Sequence, residues 1–151
     1  MNTFNFNPFN SYRSAQATKW LVIINIIIFI LQFNFGDRFI QLFGLIPYQI
    51  THHLWLWQIV TYMFLHGGFF HILMNMFVLW MFGRDIESNW GTREFLKFYF
   101  LCGLGAALLT ILTGPNALSI SIGASGAVYG ILAAFAIMYP NTIIYIYFII
   151  P

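Results

Sequence analysis

The side chains in this 151-residue sequence best suited by type to do chemistry are one serine and a histidine–asparagine pair. Ser125 sits in "GASG", Gly123 to Gly126, at the head of an apolar run that ends near Met138. A serine at a helix N-terminus lies in positive dipole potential, beside backbone N–H groups without intrahelical partners. Such groups can hold the oxyanion of a tetrahedral intermediate. His71 and Asn75 belong to "HGGFFHILMN", His66 to Asn75; four apart, they share one helical face. Both can donate hydrogen bonds, so they suit the same oxyanion. Gly123 and Gly126 would let the backbone approach its neighbours and a substrate closely. Tyr129, one turn beyond Ser125, is placed to pack on the ring of a catalytic base. His66 lies about 140° round from His71 on a continuous helix, and Gly67-Gly68 is where that helix breaks or starts.

Each feature also has a plainer explanation. Intramembrane His and Asn side chains often serve interhelical hydrogen bonds, worth about 0.6 kcal/mol on average. Gly126 and Gly130 form a G-x-x-x-G pair continued by Ala133-Ala134, the small-residue face that close helix packing in lipid uses. On these residues alone, Ser125 is either packing or nucleophile. A helical zinc site would need two histidines four apart with a glutamate beside the first. Here the spacing is five and the glutamates are Glu87 and Glu94, so a metal site is not expected.

The elements that position these groups follow from composition. Hydrophobic residues make up 60% of the chain and charged residues 7%, against about 25% charged in soluble domains. A water-facing surface cannot be built from that; the chain is a polytopic membrane protein. A net charge of +2 gives no reason to expect a nucleic-acid partner. A spanning helix needs about 20 mostly apolar residues, and four stretches approach this: 20–35, 64–82, 95–113 and 120–138. The ten residues from 142 read as the start of a fifth. Residues 36–63 are aromatic-rich and nearly uncharged, as for a loop in the interfacial zone with Trp55 and Trp57 at headgroup level. Arg13, Lys19, Arg84, Arg93 and Lys97 fall at one end of this bundle and only Arg38 at the other. The positive-inside rule then puts the N-terminus in the cytoplasm and the start of the fourth helix on the far side. Residues 1–18 read as a polar cytoplasmic segment and 19–151 as the membrane domain, lacking its last helices.

Together the two motifs resemble the rhomboid family of intramembrane serine proteases, which pairs H-x-x-x-x-H-x-x-x-N in the second helix with G-x-S-G at the start of the fourth. "GRDIESNWGTREF" after helix 2, the aromatic first loop and Tyr129 agree with that family. The resemblance implies an all-α, rhomboid-like bundle: four complete spans, the start of a fifth and a long interfacial loop. It implies Ser125 as nucleophile against peptide bonds in or near transmembrane segments of other membrane proteins. His71 and Asn75 would be oxyanion donors, with His66, Gly123, Gly126 and Tyr129 in support, and no metal or organic cofactor would be needed. The expected setting is a bacterial inner membrane, with transmembrane substrates and lipid as partners. The family often has Trp-Arg where this chain has Trp57-Gln58. The family's general base is a histidine on the sixth helix, and no such histidine lies within these 151 residues, so the chain alone is expected to be inactive. The alternative is a non-catalytic relative that binds transmembrane helices.

Overall fold

The computed structural model describes residues 15–142, so the polar segment 1–14 and most of the expected fifth helix lie outside the described residues. The described chain is helical, and its only β pairing is one isolated antiparallel bridge between Leu45 and Ser121. In order it forms α1 (Gln16–Phe35), α2 (Asp37–Phe43), α3 (Pro47–His53), α4 (Gln58–Thr61), α5 (Phe69–Val78), α6 (Arg84–Trp90), α7 (Thr92–Thr113) and α8 (Ser125–Met138). A π stretch, Leu79–Gly83, joins α5 to α6, making one continuous helix from Phe69 to Trp90.

Among the described residues three helices are long and apolar enough to cross a bilayer: α1, α5 through α6, and α7. At 1.5 Å per residue, the 20 to 22 residues of each span about 30–33 Å. α8 is apolar but only 14 residues long, about 21 Å. It starts five residues later than the apolar run, because residues 120–124 are drawn into the loop by the Leu45–Ser121 bridge. Its far end is level with α6, where Asn89 Nδ2 donates to Tyr139 OH at 2.7 Å and Phe82 packs edge-on to Phe135. A short helix fixed at that end leaves its first residue, Ser125, below the opposite membrane face. Gly123 and Ala124, the non-helical residues just before it, are buried by the protein, as backbone away from water requires.

Packing follows the polar and small residues inside the spans. The buried positions of α1, at 17, 18, 21, 25 and 32, form one stripe. Its N-terminus is capped from a distant helix. The Glu87 carboxylate accepts from Ala17 N–H (3.0 Å), Thr18 N–H (2.8 Å), Thr18 Oγ1 (2.8 Å) and Thr92 Oγ1 (2.7 Å). Two of the orphan donors that every helix start carries are satisfied in this way. The most extensive helix pair is α7 against α8. A Cβ on Gly126 would lie 2.5 Å from Ala106 Cβ, and one on Gly130 2.8 Å from Cys102 Cβ. The G-x-x-x-G pair is therefore the contact surface of α8, as close packing in lipid requires.

The first loop is mostly helical. Pro47 opens α3 at a position where its missing N–H costs nothing, and short helices satisfy backbone groups that membrane depth would leave unpaired. Gln58, fully buried, fastens the loop: Oε1 accepts from Ile46 N–H at 3.1 Å, and Nε2 donates to Gln41 C=O and Leu42 C=O. The position where the family pattern often has arginine thus anchors the loop through an amide. Trp57 Nε1 donates to Leu42 C=O at 2.9 Å, and its ring stacks on Trp55.

Candidate active site

Ser125 is the first residue of α8, half-buried, and its hydroxyl makes no hydrogen bond to any described residue. Helical bonding starts with Val128 N–H on Ala124 C=O, leaving the N–H groups of Ser125 to Ala127 ahead of the ladder. The entry into the helix depends on Gly123, whose φ of +127° is a conformation L side chains rarely adopt. Gly123 N–H donates to Tyr62 C=O at 2.9 Å, which holds the turn against the loop core.

The missing side chain of Gly123 also makes room. A Cβ there would sit 2.8 Å from His71 Nε2 and 3.7 Å from Ser125 Oγ, so those two atoms are at most about 6.5 Å apart. An atom placed between them would be near both, the geometry expected of a nucleophile and an oxyanion donor. Gly67 N–H donates to His71 Nδ1 at 3.2 Å. With Nδ1 accepting, the proton of the neutral imidazole resides on Nε2. His71 therefore presents a donor on the Ser125 side.

Asn75 is buried one turn further along and lines the same space. Its Nδ2 donates to His71 C=O at 2.9 Å, occupying one of the two amide hydrogens. His71, Asn75, Ser125 and Tyr129 border one cavity of about 580 Å³ with apolar walls that include Phe70 and Met74. Tyr129 is 72% exposed, its ring lying on the open side of that cavity.

His66 is buried behind this group, its ring edge-on to His71 with centroids 5.2 Å apart. Its main chain is clamped by Gln32 of α1: His66 N–H donates to Oε1 and Nε2 donates to His66 C=O, both at 2.9 Å. Gln32 and Gly67 are positioning residues that spacing did not single out. Gln32 was detectable as an amide within an apolar span; the Gly67 hydrogen bond left no sequence signal. His52 and His53 are exposed on α3, where His52 stacks on Tyr48.

The fold and site define a helical membrane protein in which serine, histidine and asparagine converge on one cavity within the bundle. The chain belongs to the rhomboid family, the Rhomboid domain model matching residues 53–151. All four motif residues, His66, His71, Asn75 and Ser125, fall in that range. It is similar to Rhomboid-like protein 11, chloroplastic, of Arabidopsis thaliana, 33% identical over 122 residues, covering 80% of this chain and 41% of the relative. Rhomboid-like protease 3 of Toxoplasma gondii is 31% identical over 127 residues, covering 80% and 48%. RHOMBOID-like protein 5 of Arabidopsis thaliana is 37% identical over 78 residues, covering 52% and 25%. The chain thus spans less than half the length of these relatives. No solved structure matches it.

Proposed function

We propose that Ser125 is the nucleophile of a serine endopeptidase acting on peptide bonds in or near transmembrane segments. The observation that carries this reading is the hydrogen bond from Gly67 N–H to His71 Nδ1. Held by Gly67 N–H at Nδ1, His71 turns an Nε2–H toward the space beside Ser125 Oγ. Such a group stabilises an oxyanion and does not deprotonate a serine. Asn75, with one amide hydrogen unspent, and the N–H of Ser125 complete the donor set. Gly123 and Gly126 keep the entry narrow, and His66 supports His71 from behind. Tyr129 offers its ring to the base.

That base is a histidine outside these 151 residues; His52, His53, His66 and His71 are the only ones within them. A serine hydroxyl without a base is a weak nucleophile, so the 151 residues alone do not cleave. On this reading residues 19–151 belong to one membrane domain that begins at Lys19, and 1–18, with Arg13, lie in the cytoplasm. The proposed location is a bacterial inner membrane; the support for its orientation is the gathering of Lys19, Arg84, Arg93 and Lys97 at the end opposite Arg38.

The test is cleavage of a transmembrane reporter by the full-length protein in proteoliposomes. Ser125→Ala is expected to abolish cleavage with helix content unchanged. His71→Ala is expected to lower kcat about 10²–10³-fold, the cost of one oxyanion donor. Cleavage that survives Ser125→Ala would refute the assignment. A wild-type protein that retains the reporter without cutting it would favour the non-catalytic, helix-binding alternative.

A further inference from the structure

A second cavity, of about 480 Å³, lies on the first loop away from the serine site. Four of its lining side chains are polar: Arg38 and Gln41 of α2, Gln49 of α3, and Trp55. None of the four side chains makes a hydrogen bond or ion pair within the described residues, whose one ion pair joins Lys97 to Glu94. The neighbouring carboxylate of Asp37 lines a different cavity, with Gln32 and His66. The open functional groups are a guanidinium, two amide NH₂ groups and an indole N–H, and no acidic side chain borders them. The other wall is apolar, formed in part by Leu118 (71% exposed) and Ile120.

Unspent donors around a lone cation call for an anion with several acceptor oxygens, and phosphate meets a guanidinium through two parallel bonds. The position narrows the source. Arg38 is the lone Lys or Arg at this end of the bundle among the described residues, at the level where tryptophans meet lipid headgroups. An apolar wall beside the donors suits a ligand with a hydrocarbon part. We propose that this cavity binds the phosphodiester of a bilayer phospholipid, with Arg38 pairing the phosphate and acyl chains running over Leu118 and Ile120. The site is independent of the protease reading. It ties the first loop, and through the Leu45–Ser121 bridge the entry to α8, to the headgroup plane.

The test uses the full-length protein in nanodiscs containing phosphatidylglycerol, extracted into detergent, with native mass spectrometry to count retained lipid. The wild type is expected to retain phospholipid in preference to a diacylglycerol of the same chains. Arg38→Gln should weaken retention about tenfold, as loss of a charged hydrogen-bonding group does. Trp55→Phe, which keeps the ring and removes the N–H, should weaken it less. Arg93→Gln, at the opposite end, should leave it unchanged. Helix content is measured for each variant; Arg38 makes no intramolecular bond, so its loss leaves the fold intact. Equal retention by wild type and Arg38→Gln, or equal retention of diacylglycerol, would overturn the proposal. Displacement by excess inorganic phosphate would also overturn it, because the ligand would then be a free anion.

Discussion

Gly123→Ala is the change that most directly probes how the site is built. Two costs follow from the structure. A φ of +127° is unfavourable for an L residue by about 1–3 kcal/mol. The new methyl would also stand 2.8 and 2.9 Å from His71 Nε2 and Cε1, inside contact distance, so the ring must turn away. Turning it stretches the 3.2 Å bond from Gly67 N–H to Nδ1, worth about 0.5–1.5 kcal/mol. The expected destabilisation is about 2–4 kcal/mol, and the tautomer of His71 is no longer fixed. Two assays separate these effects. Unfolding in a denaturing-detergent titration reads the stability, and labelling of Ser125 by a serine-directed phosphonate in the full-length protein reads the site. Labelling should fall at temperatures where the variant is still folded. Gly105→Ala is the control: a Cβ there meets nothing within 4 Å, and alanine favours a helix over glycine. If Gly123→Ala matches wild type in both assays, the idea that an unfilled Cβ position sets the spacing of His71 and Ser125 is wrong.

Two further outcomes concern the scaffold. Glu87→Ala strands Ala17 N–H, Thr18 N–H and two hydroxyls at once. It should cost about 3 kcal/mol in the same titration, since bonds to a charged group are worth about 1.5–3 kcal/mol each and are not additive; a loss near the 0.6 kcal/mol typical of membrane hydrogen bonds would contradict the cap. Gly130→Val should push α8 off α7 at Cys102, costing about 1–3 kcal/mol by overpacking, and should speed maleimide labelling of Cys102. Unchanged labelling would show that the two helices do not meet there.

Much of this site was legible because helical periodicity is a local property. The four-residue step from His71 to Asn75 put both on one face, and "GASG" marked a helix start, although the positive φ of Gly123 left no signal of its own. Gly67-Gly68 marked the helix boundary that the structure places at Phe69. What the sequence did not carry were contacts between residues far apart in the chain. The Asn75 amide, expected to donate to an oxyanion, also spends one hydrogen on the His71 carbonyl. The clamp of Gln32 on His66 spans 34 residues. Apolar content made residues 120–124 look helical, yet pairing with Leu45 outweighed that tendency and shortened α8. The first loop read as irregular because its helices are too short for periodicity to register, although Pro47 is an ordinary helix-start signal.

The Glu87 cap has a consequence in time. It lies 69 and 70 residues beyond the N–H groups it satisfies, and at about 5–20 residues per second a ribosome needs roughly 4–14 seconds to make that stretch. Throughout that interval α1 exists without its cap, and the amides of Ala17 and Thr18 have only water to bond. The first helix must therefore enter the bilayer with its head held at the wet boundary, where Lys19 and Trp20 keep it. The contact that joins the start of α1 to α6 can form only once Glu87 has been made. An early-inserting helix with a late-arriving cap makes assembly order part of the design, and a nascent chain stalled before residue 87 should leave α1 free to slide.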